Sequence, residues 1–164
     1  MKGKTKSKSG ATAAAAAASS DSPLQNHDWF LAELVRLAEL GFHPGITLTV
    51  GGATITGRLV EGKTYFEKTA AVATAGLQAP ELATIRTAIF DMISSYTKMY
   101  DDKMYDDAAE AGSSDSPQFI HLQDARVMTA TRAFVPETGT LWRGRLSEVD
   151  GFFIGELRPA EPTC

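Results

Sequence analysis

Between residues 26 and 43 the apolar positions recur at the spacing of a helix. Phe30, Leu34 and Leu37 form one line and Leu31, Val35 and Ala38 a second, so HDWFLAELVRLAELGF carries a wide apolar stripe. Glu33, Arg36 and Glu39 lie on the polar side. Asn26 or Asp28 can cap the start, Gly41 suits the residue after the last turn, and Pro44 prevents continuation. The period then changes to two. Ile46, Leu48 and Val50 alternate with Thr47 and Thr49, which predicts a strand with one buried face. Gly51-Gly52 reads as a turn, and Ala53 to Leu59 returns as a second strand with Ile55, Gly57 and Leu59 on one face. A glycine inside a strand predicts a bend or a close backbone approach, the device by which small barrels curve.

The texture changes after Tyr65. Phe66 to Ala75 is rich in Ala and Thr and reads as helix. Pro80 opens a stronger helix in which Leu82, Ile85, Ile89, Met92, Ile93 and Tyr96 follow the helical period, with Phe90 beside them; packing on the sheet is its expected use. Lys98 to Asp107 is a tandem five-residue duplication, KMYDDKMYDD, whose period fits neither a helix face nor a strand face. It runs on into AAEAGSSDSP, which reads as a linker. Phe119 to Met128 is the third strand region. Ile120 and Leu122 share one face, Phe119 and His121 the other, and Asp124-Ala125 is its turn or bulge. Thr129 to Thr140 reads as a loop.

Leu141 to Leu157, LWRGRLSEVDGFFIGEL, reads as two strands joined by a tight Asp150-Gly151 turn. Neighbouring residues of a strand point to opposite faces. One of Phe152 and Phe153 is therefore assigned to the core and the other to a surface. Trp142 is an interface anchor by residue type, and a place in the core suits a tryptophan at least as often. Arg143 and Arg145 share a strand face and are expected to pair with Glu148, Glu156 or a neighbouring molecule. Trp142, Arg143, Arg145, Phe152 and Phe153 are the interaction candidates. The whole is α+β and mainly antiparallel β: a helix, then a small bent barrel or sheet, with a helical insertion over about 66–117 between strands two and three. A basic, Ala-rich tail (1–22) reads as disordered because it can bury too little apolar surface to offset the entropy of ordering. One globular domain then spans 23–158, with the acidic low-complexity stretch 98–116 inside its insertion, and 159–164 is a flexible end.

The chain has 164 residues, 43% of them hydrophobic and 22% charged, which suits one soluble domain. The net charge of −4 argues against a nucleic-acid or anionic-membrane partner. Lys2, Lys4, Lys6 and Lys8 make the start basic, while Asp101 to Asp115 is acidic. The single cysteine, Cys164, excludes an intrachain disulfide and fits a reducing cytosol. No apolar run approaches a membrane span, and Ala13 to Ala18 lacks the leucine-rich core of a signal peptide.

Little in the chain points to catalysis. GRLVEGKT, Gly57 to Thr64, matches the phosphate-loop pattern G-x-x-x-x-G-K-[ST]. Against a nucleotide site, Arg58-Leu59-Val60 continue the strand alternation, Glu61 would set a negative charge beside the phosphates, and Asp91 falls in a helix. His27, His43 and His121 have no metal-ligand spacing. Of the three, only His121 invites a role, with Asp124 or Glu148 as its expected partner. No cofactor, metal or catalytic set is expected.

WRGRLSEVDGFFIG, with FIHLQDARV (Phe119 to Val127) and ITLTVGGATITGRLVEGKTYFE (Ile46 to Glu67), resembles the gas vesicle accessory protein family GvpU. With the preceding helix these blocks cover about half the chain. The resemblance implies a cytoplasmic, vesicle-associated, non-shell accessory. Its implied activity is self-association that clusters or organises gas vesicles, and its implied partners are itself and the vesicle shell or other gas vesicle proteins. More distantly, the strand pattern resembles the Sm-like fold, whose RNA-binding oligomers are the alternative reading. Tyr65-Phe66-Glu67 and Ser147-Glu148-Val149-Asp150 stand where that family places its RNA-contacting loops, which removes the residues RNA binding would need.

Overall fold

The computed structural model describes residues 27–101 and 116–158. The basic tail, the C-terminal end and most of the KMYDD duplication lie outside the described residues.

Helix α1 runs from Trp29 to Glu39. Asp28 caps it, its carboxylate accepting from the amides of Phe30 (2.8 Å) and Leu31 (3.1 Å). Gly41 ends it at φ +95°, a conformation that glycine adopts without strain. The Gly41 amide donates to the Ala38 carbonyl (3.0 Å) and the Phe42 amide to Leu37 (2.9 Å), the paired bonds of a Schellman ending. Leu31, Ala32, Leu34, Val35 and Ala38 are buried. They meet the inner face of a five-stranded antiparallel sheet ordered β4-β3-β2-β1-β5. The strands are β1 (Gly45–Val50), β2 (Ala53–Leu59), β3 (Phe119–Met128), β4 (Phe134–Arg145) and β5 (Gly151–Ile154). Ile46, Leu48, Ile55, Leu59, Ile120, Leu122 and Ala125 form that inner face, with Trp142 and Phe152 packed at its margins. Fully burying one such aliphatic side chain is worth about 1.5–3 kcal/mol.

The inner face survives a change of register in β3. Gln123 pairs with Arg58 and Arg126 with Thr56, so Asp124 and Ala125 together oppose the single residue Gly57. This is a β-bulge at the predicted place, with Asp124 at φ +54°. Glycines flank it on both neighbouring strands. A Cβ on Gly57 would stand 3.0 Å from the Ala125 Cα, and one on Gly139 would stand 2.7 Å from the Asp124 Cα. The close approach expected at Gly57 is therefore real, and Gly139 supplies its counterpart on β4.

Three expectations need correction. Leu141 to Leu157 is not a hairpin. Its first half belongs to β4, which pairs with β3, and its second half is β5, which pairs with β1 at the far edge of the sheet. A 3-10 turn at Leu146–Glu148, with Leu146 buried, carries the chain across. The Asp-Gly pair marks entry into β5: the Asp150 carboxylate accepts from the Gly51 amide (2.8 Å) and links the two turns. Second, of the two forms expected, barrel or sheet, the barrel is not made: the sheet is open, with β4 and β5 as its two edges. Third, the stretch expected as a loop is mostly strand, with β4 already under way at Phe134.

The insertion between β2 and β3 comprises α2 (Gly62–Thr74), α3 (Ala83–Ser94) and the short α4 (Lys98–Asp101). Of the insertion, α2 makes the main contact with the sheet, on its outer face, and Tyr100 of α4 reaches His121 there; α3 packs on α2 and has no fully buried residue. The expected packing of α3 on the sheet is thus replaced by a helical hairpin, with Ile85, Met92 and Tyr96 left exposed.

Thr47 and Thr56, on the outer face, are buried despite the strand pattern that reads them as solvent-facing. The chain after β5 covers them. The Thr47 hydroxyl donates to the Gly155 carbonyl (2.8 Å), and the Leu157 amide donates to Thr56 Oγ1 (2.9 Å). Each hydroxyl has one proton, so the 2.9 Å contact between the two is donated by Thr56 to Thr47. Thr47→Val breaks this chain in the middle and leaves the Gly155 carbonyl without its hydroxyl donor. It should cost about 1–3 kcal/mol in urea unfolding, with Thr47→Val/Thr56→Val costing less than the sum of the two single changes.

Candidate interaction surface and the arginine–histidine site

The five interaction candidates do not form one patch. Trp142 lies on the inner face beside Leu122, and its ring covers Gly144, where a Cβ would come within 2.2 Å of it. Phe152 is also inward and packs against Phe30, ring centroids 6.0 Å apart. Phe153 is 51% exposed on β5, beside Ile154 at 54%. The question of which phenylalanine is core is therefore settled in favour of Phe152. Arg145 is exposed at the end of β4. Two candidates thus belong to the β5 edge and three to the β4 edge, separated by three strands.

Among the described residues neither arginine pairs with Glu148 or Glu156. Glu156 pairs instead with Arg58 (3.6 Å). Arg143 points over the outer face, where it meets His121 on the neighbouring strand. Its Nε–H donates to His121 Nε2 (3.2 Å), and its guanidinium lies 3.5 Å from the centroid of the Phe119 ring. Because Nε2 accepts, the neutral imidazole carries its proton on Nδ1, and that atom is buried with no hydrogen-bond partner among the described residues. Tyr65 stacks against the imidazole at 4.6 Å, and Phe66 and Tyr100 each stand 6.0 Å away. So the residue singled out among the three histidines is held by Arg143 and aromatic rings, not by Asp124 or Glu148. No spacing along the chain could show this, since Tyr65, Tyr100, His121 and Arg143 come from four separate segments.

Burial, and then the Arg143 charge, push the His121 pKa down from 6.5 to about 4. The unfolded chain therefore binds a proton on this residue at a higher pH than the folded chain does. The neutral histidine's contribution is complete above pH 6.5 and is lost as pH falls towards 4. At about 1.4 kcal/mol per pKa unit the loss reaches about 3 kcal/mol. His121→Gln keeps an acceptor for Arg143 but cannot titrate, so its urea stability should vary less between pH 6.5 and 4 than that of the parent chain.

GRLVEGKT makes no phosphate loop. Gly57 to Leu59 are strand, Val60 is buried, and α2 begins at Gly62. The amide at its start is taken by a carboxylate: the Gly62 N–H donates to Glu39 Oε1 (2.9 Å). The Thr64 hydroxyl donates to Glu61. A phosphate would meet negative charge where it needs open donors. Among the described residues no group of three or more His, Cys, Asp or Glu is placed to hold a metal ion.

A family model described as gas vesicle protein GvpU-like matches residues 28–157, from the cap of α1 to the segment after β5. The chain belongs to the GvpU-like family. No curated protein and no solved structure matches it. The match covers every strand and helix of this GvpU-like chain described above, the insertion included. No helix among the described residues is long and apolar enough to cross a membrane.

Proposed function

We propose that this GvpU-like chain is a non-shell gas vesicle accessory in the cytoplasm that self-associates and so clusters or organises vesicles. The observation that carries the reading is the family match over residues 28–157. Two features of the fold support self-association. The sheet is open, and among the described residues β4 and β5 are its edges, each paired on one side with a neighbouring strand. The β5 edge also exposes Phe153 and Ile154, large apolar side chains at a place where edge strands usually carry charge. Pairing β4 of one copy with β5 of the next would reunite the five candidates, Trp142, Arg143, Arg145, Phe152 and Phe153, that a single chain keeps apart. Such a head-to-tail contact repeats, giving rings or filaments. Repeated copies would hold many vesicles through contacts that are individually weak.

The test is to add purified protein to isolated gas vesicles and follow cluster size by light scattering and electron microscopy. Clusters that grow with protein concentration support the proposal. Vesicles that stay dispersed, with the protein left in the soluble fraction, would overturn it.

A further inference from the structure

A cavity of about 510 Å³ opens between α1, α4 and the starts of β3 and the end of β4. This is the size range of sites for small organic ligands. Its lining divides by chemistry. Val35, Leu40, Met99 and Phe119 give it an apolar wall, and Leu40 and Met99 are exposed at 71% and 61%. His121 and Arg143 give it one polar corner.

The charges around that corner are unequally engaged. Glu39 accepts from the Gly62 amide, and Glu33 pairs with Arg36 on the same helix (3.4 Å). Arg143 is fixed on two sides, by His121 at Nε and by Phe119 beneath its plane, yet among the described residues no carboxylate pairs with it. Its two terminal nitrogens carry the donors of a planar fork whose geometry suits a carboxylate. Holding the fork in place beforehand lowers the entropy that binding must spend. Among the described residues, the charged ones lining the cavity, Glu33, Glu39, Arg36 and Arg143, sum to zero. One anionic group can be matched by Arg143, whereas a dianion would meet the two glutamates with too little positive charge.

We infer that this cavity binds a small amphipathic carboxylate, its carboxyl group on Arg143 and its apolar body along Phe119, Leu40 and Met99. His121 is a positioning residue here: it orients the guanidinium and remains neutral, so the site keeps a single positive charge at that corner.

The test is titration of the full chain with octanoate, followed by calorimetry and by amide shifts in NMR, with octanol and octylamine as matched neutral and cationic probes. Saturable binding of octanoate, at least tenfold tighter than octanol and with no binding of octylamine, is expected. Arg143→Gln should weaken octanoate at least tenfold and abolish the preference over octanol. Arg143→Lys, which keeps the charge but not the fork, should recover only part of it. Met99→Ser, at an exposed wall position that cannot threaten the core, should weaken octanoate and octanol alike. Equal binding of octanoate and octanol, binding that survives Arg143→Gln in a folded protein, or no saturable binding at all would each overturn the assignment. None of these readouts depends on vesicles or on assembly.

Discussion

Leu122→Ala is expected to cost about 2–5 kcal/mol in urea unfolding. Leu122 is fully buried on β3, opposite Leu59 of β2 on one side and Trp142 of β4 on the other. Truncating it removes packing from three strands at once, and the flanking strands cannot close the gap because the bulge beside it locks their register. Val127→Ala is the control. Val127 lies on the same strand beyond the bulge and is 36% exposed, so its cost should stay below about 1 kcal/mol. A large loss at Leu122 with a small one at Val127 places the core before the bulge. Equal losses would contradict the packing described.

The second large effect is on assembly. Phe153→Lys/Ile154→Lys is expected to reduce the self-associated form to monomer while changing the unfolding midpoint little. Both side chains are more than half exposed in the single chain, so charging them removes little of its own packing. In a pairing of strand edges the same two lysines would be brought against a neighbour and would oppose it, as charges do on edge strands that must stay unpaired. Light scattering gives the mass and circular dichroism the stability. A variant that assembles like the parent would remove β5 from the interface. A variant that fails to fold would show that Phe153 and Ile154 are needed inside the chain, against the exposure seen here.

Where alternation and turn chemistry act locally, the chain could be read directly. The stripe of α1, its cap at Asp28, its stop at Gly41, the β1–β2 turn and the bend at Gly57 all rest on residues within a few positions of one another. Strand partners do not. Asp150-Gly151 is a strong hairpin signal, yet here it leads β5 away to β1, because the 3-10 turn at Leu146–Glu148 buries Leu146 and sends the chain across the sheet. The apolar period of α3 correctly marks a helix but cannot say whether a sheet or another helix covers it. Thr47 looks solvent-facing because the segment that buries it lies 108 residues further on. The Arg143–His121 corner was hidden for the same reason. Arg143 appeared as one of two arginines on a strand face, and only the β3–β4 register sets it opposite His121.

In the proposed assembly β4 of one copy meets β5 of another. Two variants in a Cys164→Ser background test it: one carrying Arg145→Cys on β4, the other Phe153→Cys on β5. Each would be treated alone and mixed with the other, after dissociation and reassembly, with a short bismaleimide and examined by denaturing gel and mass spectrometry. A dimer joining Arg145→Cys to Phe153→Cys, formed in the mixture and far weaker in either variant alone, is the expected result. Assemblies of normal mass in which the mixture yields no such dimer, or in which each variant links only to itself, would contradict head-to-tail edge pairing.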